Sequence, residues 1–198
     1  TVGGAFTQSG GSTGGTVDLN VATFTQSGGA TIGAGTTVTS VGAQSLQGGT
    51  IAGTLDGAGA VTVSVGTTTV AATGVIAAGV TVSGLGTLLN SGQLAAVGNL
   101  AGATFFNAGG ASAGAVTNSG TGGNAGTIAS LTNNAGTFGN SGTITGNVVQ
   151  TNGAVTNLGS VLGTLTVSGG LFDQNTGGSV AGLTTISGTG TVTNAGTL

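Results

Sequence analysis

The hexapeptide Phe6-Thr7-Gln8-Ser9-Gly10-Gly11 returns eighteen residues later as Phe24-Thr25-Gln26-Ser27-Gly28-Gly29. A looser echo follows at Gln44-Ser45-Leu46-Gln47-Gly48-Gly49. Repeats of this length point to a chain wound as a stack, in which each unit buries its apolar face only against the next. A second phrase fills the later half: Asn, a small residue, Gly, then Thr and an apolar residue. It reads Asn118-Ser119-Gly120-Thr121, Asn124-Ala125-Gly126-Thr127-Ile128, Asn134-Ala135-Gly136-Thr137-Phe138, Asn140-Ser141-Gly142-Thr143-Ile144 and Asn194-Ala195-Gly196-Thr197-Leu198, with shorter forms at Asn90 and Asn107. Its spacing is irregular, as expected if one phrase serves more than one corner of a coil. Phe105, Phe138 and Phe172 lie 33 and 34 residues apart, which predicts that they stack at every second turn.

Between the phrases run short alternating segments such as Val61-Thr62-Val63-Ser64-Val65 and Thr164-Leu165-Thr166-Val167. Alternation marks half-buried strands, and three to five residues are too few for such a strand to stand alone. Pairing each strand with its equivalent one coil on, at about 4.8 Å, satisfies the backbone and stacks like on like. The 46 glycines, together with Asn, are expected at corners that need positive φ, and Asn side chains are expected to form ladders. The absence of Pro fits a stack in which every N–H is needed. The expected fold is an all-β, right-handed parallel β-helix (β-solenoid) with coils of roughly 16–22 residues. One solenoid segment spans residues 1–198, about eleven coils and about 50 Å long. Since Thr191 to Leu198 reads as the start of another coil, the segment is expected to belong to a longer repetitive chain or fibre.

Composition removes the rivals. Collagen needs Gly at every third position with Pro, and disorder needs low hydropathy and high charge; this chain is 37% hydrophobic and 2% charged, with a mean hydropathy of +0.47. A β-sandwich would carry longer strands and Pro- or Asp-rich turns. The apolar window from Val70 to Leu89 would pass for a membrane helix on a sliding average, yet Gly74, Gly79, Gly84 and Gly86 punctuate it as turns do. With no Lys or Arg and a net charge of −3, nothing can neutralise phosphates, so neither nucleic acid nor membrane insertion is expected.

Chemistry is scarce as well. His, Cys, Lys, Arg and Tyr are all missing, which removes most general bases, nucleophiles and anion clamps. Asp18 and Asp56 would stand two coils apart, near 10 Å if they share a face, which is close to the carboxylate spacing of an inverting glycosidase. No aromatic platform or Arg accompanies them, so each Asp, like Asp173, reads as a turn residue. Three acids cannot serve calcium-binding nonapeptide repeats, and Gly120-Thr121-Gly122-Gly123 is followed by no Lys as a phosphate loop would be. No enzyme, catalytic residue, cofactor or metal is expected. The triplets Thr37-Val38-Thr39, Thr67-Thr68-Thr69, Thr143-Ile144-Thr145, Thr164-Leu165-Thr166 and Thr191-Val192-Thr193 suggest an ice-binding face, but their spacing does not make one regular array.

The Asn-Ala/Ser-Gly-Thr phrase, joined by Thr81-Val82-Ser83-Gly84, Thr166-Val167-Ser168-Gly169 and Gly190-Thr191-Val192-Thr193-Asn194, resembles the passenger domains of Gram-negative autotransporters and the related filamentous-haemagglutinin-like adhesins. The resemblance is strongest from Leu89 to Leu198. It implies a right-handed β-helix outside the Gram-negative outer membrane, serving adhesion, aggregation or biofilm formation as a surface filament or passenger stalk. Expected partners are further copies, associating or stacking end to end, and a cell-surface or glycan partner. An ice- or glycan-binding solenoid is the alternative.

Overall fold

The structure, a computed structural model, describes residues 3–198. Described residues form no helix; thirty short strands wind into a parallel β-solenoid whose coils each present three faces. Face one starts at Ala5–Gln8 and ends at Thr184–Ile186, face two runs from Ser12–Thr13 to Thr191–Asn194, and face three runs from Val17–Val21 to Ser179–Val180. Face two is a separate sheet of 11 rungs, which sets the number of coils. Every pairing among the described strands is to the equivalent strand one coil away. The window from Val70 to Leu89 is one such coil, made of Thr67–Val70, Val75–Ile76, Val80–Val82 and Thr87–Asn90.

Coil length varies more than the sequence spacing suggests. Register partners lie 21 residues apart at Thr54 and Val75 (75 − 54) and only 15 apart at Val116 and Leu131 (131 − 116), below the expected range. The shortest coils arise where the corner between faces three and one disappears. There Ser112–Asn118 and Thr127–Asn133 are single seven-residue strands that bend from one face to the next. These two strands join faces three and one into a single 19-stranded sheet.

The repeated phrases now have a place. Phe6, Thr7 and Gln8 pair with Phe24, Thr25 and Gln26, and the two rings stack 5.9 Å apart. The echo slips in register: Gln44 takes the position of Phe24, and Leu46 that of Gln26. The Asn-x-Gly-Thr phrase is a corner module. Asn is the last inward residue of one face, x and Gly make the corner, and Thr is the first outward residue of the next. Asn118 to Thr121 turns from face one to face two, and Asn124 to Thr127 turns from face two to face three, so one phrase serves two of the three corners. Glycine is needed at Gly120 and Gly126 because a Cβ there would sit 2.3–2.4 Å from carbonyl oxygens of the preceding coil.

The asparagines, however, do not take the positive φ expected of them: among the described residues only glycines do. Asn instead points inward and is buried, because an amide one coil above another can donate and accept in line. Along face two, Asn90, Asn107, Asn124, Asn140 and Asn157 each donate Nδ2–H to the amide oxygen one coil on, at 2.7–2.8 Å, ending at Gln174. Face one carries a shorter ladder, Asn99 to Asn118 to Asn133 to Gln150. The second N–H of these amides goes to a corner carbonyl, as from Asn107 to Thr127 O at 3.2 Å and from Asn99 to Thr121 O at 2.9 Å. Above Asn99 the column holds Val82, so Asn99 Oδ1 heads its ladder with no donor.

The rest of the interior is a dry column of Val, Leu, Ile and Phe. Phe105, Phe138 and Phe172 do stack at every second rung, with Gly122 and Val155 between them. Gly122 has no room for a side chain: its Cβ would lie 2.4 Å from a ring carbon of Phe138.

Two outcomes follow for chemical denaturation. Asn124→Leu orphans the donor of Asn107 and the acceptor of Asn140 and costs about 2–4 kcal/mol, whereas Asn99→Val extends an apolar column at the head of a ladder and costs less than about 1 kcal/mol. Equal losses would show that the ladder is not a cooperative chain. Gly122→Ala costs about 1–3 kcal/mol by overpacking, and Phe138→Leu in the same chain restores part of it. A purely additive double variant would contradict the contact.

Candidate functional site

With the apolar side chains turned inward, what any partner meets is the outward half of each strand. Outward residues form columns along the stack, one per rung at about 4.8 Å. On face one the column runs Thr7, Thr25, Ser45, Thr62, Thr81, then Thr117, Thr132, Thr166 and Thr185, broken at Gly98 and Val149. Face three repeats the pattern with Thr37, Thr54, Ser112, Thr127, Thr143, Ser160 and Ser179. Face two has two columns. One is an unbroken series of threonines, Thr67, Thr87, Thr104, Thr121 and Thr137. The other runs Thr31, Thr50, Thr69, Leu89, Phe106, Gly123, Gly139, Thr156, Asp173 and Thr193.

Threonine suits these positions because its branched Cβ favours the strand and its methyl group covers the backbone while the hydroxyl meets water. The Thr-x-Thr triplets lie on different faces: Thr67 to Thr69 and Thr191 to Thr193 on face two, Thr37 to Thr39 and Thr143 to Thr145 at face three, and Thr164 to Thr166 at face one. No array of triplets therefore forms on one face. Single columns of hydroxyls do form, and searching for triplets misses them. The visible signal was the Thr that closes each Asn-x-Gly-Thr phrase.

The three carboxylates do not converge. Asp18 and Asp56 share face three and stand two rungs apart, but in different columns: Asp18 lines up with Thr37 and Thr54, Asp56 with Thr39 and Asn20. Their Cα atoms are about 12 Å apart from strand and rung spacings. Asp56 Oδ1 accepts the Gly57 N–H at 2.7 Å, the turn role expected of it. Asp173 is not at a corner. It lies within the strand Leu171–Gln174 on face two and accepts from the Thr193 hydroxyl one rung on. Among the described residues, no three acids gather as a metal site would need.

One concavity interrupts the flat surface, on face two, with a volume of about 370 Å³. Its floor is Gly123 and Gly139, its upper wall Phe106, its lower wall Leu158, and Thr104 and Thr121 border it. Phe106 is 42% exposed, and its ring leans over Gly123, where a Cβ would come within 2.8 Å of it. The trough is thus a gap of two rungs in a column of side chains, next to the largest outward side chain on the face. Compared with protein-family models, with curated proteins and with solved structures, the chain matches none.

Proposed function

We propose that this chain is a stretch of an extracellular, non-enzymatic surface filament of the autotransporter-passenger or filamentous-haemagglutinin-like style, acting in adhesion, aggregation or biofilm formation. The observation that carries this reading is the contrast between interior and surface. Inside, amide ladders and apolar columns hold coil on coil; outside, three faces present neutral hydroxyl columns with a net charge of only −3. Such a rod gains length without limit by adding coils, and meets other surfaces by hydrogen bonds and close packing. Further copies of the chain and neutral glycans are the partners such a surface suits. A second reading, an ice-binding solenoid, is favoured by the hydroxyl column of face one, whose one-rung repeat could order water along a flat face.

Cells carrying the protein are expected to clump, and cells lacking this stretch to stay dispersed, with extended fibres by electron microscopy only in the former. Because no cation takes part, clumping is expected to survive a change of Debye length from about 30 Å to about 3 Å, set by raising the salt. Clumping that persists without the stretch would sink the filament reading, and clumping that disappears at high salt would sink the neutral contact. Thermal hysteresis abolished by Thr81→Tyr would move the weight to ice binding.

A further inference from the structure

Every large apolar side chain that faces outward on face two, or at its edge toward face three, sits in a definite order along the stack. Leu89 (37% exposed) and Phe106 (42%) occupy successive rungs of one column, and Gly123 and Gly139 the next two. The column reads large, large, empty, empty. Reversed, it reads empty, empty, large, large. A sequence of knobs and holes with that symmetry fits its own antiparallel image.

We propose that a second copy of this chain docks antiparallel on face two, related by a two-fold axis lying across the face between the rungs of Phe106 and Gly123. Phe106 then faces Gly123 of the other copy, and Leu89 faces Gly139. The neighbouring threonines meet as Thr104 with Thr121 and Thr87 with Thr137, hydroxyl against hydroxyl. The match extends beyond the four central rungs. Leu171, 37% exposed on the other outward column, comes opposite Gly48, and Leu158, 52% exposed at the corner, comes opposite Ala71. All four large apolar groups of this surface thereby meet Gly or Ala.

The register is not arbitrary. Moving the axis by half a rung one way sets Phe106 against Phe106; moving it the other way sets Gly123 against Gly123 and leaves the trough unfilled. An isologous interface needs this self-complementarity, and the neutral surface provides no charge repulsion between identical faces. Face two is about 13 Å wide over four residues, and the eight rungs from Gly49–Ile51 to Leu171–Gln174 span about 38 Å. Pairing buries about 500 Å² per copy, or about 1,000 Å² in total, which is the lower limit for a specific contact. Single pairs are therefore weak, and rods of many coils gain by repetition.

Gly139 supplies the decisive variant, because nothing lies within 4 Å of the Cβ it lacks and its φ is not positive, so a side chain there is tolerated by the fold. Sedimentation of the 198-residue chain is expected to show a reversible dimer, weakened about tenfold or more by Gly139→Leu. The control is Gly98→Leu on face one, where a Cβ also has room, its nearest neighbour being Val80 O at 4.0 Å; it leaves the dimer unchanged. Adding Leu89→Ala to Gly139→Leu exchanges knob and hole and restores pairing. On oxidation, a mixture of Leu89→Cys and Gly139→Cys chains gives a crosslinked heterodimer. A wild-type chain that stays monomeric, an equal effect of Gly98→Leu and Gly139→Leu, or no crosslink would each overturn the proposal. The pairing deepens the filament reading and rests on it for its biological setting. A monomeric chain that still forms fibres on cells overturns the pairing alone, whereas dispersed cells with a solution dimer overturn the filament alone.

Discussion

Everything in this molecule depends on one constraint: each residue must be acceptable on top of its equivalent in the coils above and below. A parallel rung shares its backbone hydrogen bonds with both neighbours, so a misfit in one coil is felt in two. This explains why the inward columns change character slowly. The face-two column that begins Ile32, Ile51, Val70 changes once, at Asn90, to amide, and stays amide to Gln174. An isolated buried Asn would leave a donor and an acceptor unpaired, whereas in a run of six only the two ends face that cost. Asn90 meets it by accepting the Gly92 N–H with its Oδ1, and Gln174 by donating to Thr197 O. The shorter ladder has no such cap at Asn99 and leaves an oxygen bare.

The same constraint determines where glycine is compulsory. At the corners, coils approach so closely that a Cβ would press into carbonyl oxygens of the coil before, as at Gly120 and Gly126. In the interior, Gly122 makes way for the ring of Phe138, so large and small residues alternate along that column. Interior packing therefore explains Gly122 through volume, not through backbone freedom.

Much of this was legible in the sequence, and the limits of legibility have a physical origin. The eighteen-residue repeat gave the first register directly, and the 33- and 34-residue spacings of phenylalanine gave the alternate-rung stack, because both lie in coils with unchanged corners. Legibility failed where a corner changed length. Gln44 falls under Phe24 and not under Gln26, since the coil between them is two residues longer than the one before. Asp18 and Asp56 share a face but miss a common column for the same reason: face position depends on summed corner lengths, which no linear spacing reports. Asn was assigned to the corners on its known tolerance of positive φ. Its actual place, one residue earlier and facing inward, follows from stacking amides, a property visible only once neighbours along the rod are known.

Outward positions obey a looser rule, which is why they are informative. A side chain facing solvent need only tolerate the rung above and below, and Thr does so at most rungs of all three faces. Glycine at such a position weakens a strand, since it contributes neither packing nor β-propensity. Gly123 is accounted for within the chain by the Phe106 ring that leans over it. Gly139 has no such neighbour, and the column around it would accept threonine as readily as it does at Thr156 one rung on. A gap that the fold does not require, placed symmetrically against the two bulkiest side chains of its own column, has a physical use only if something enters it. Neutral hydroxyl columns bordering the gap exclude a charged guest, and the size and order of the knobs select a surface that carries the same pattern reversed.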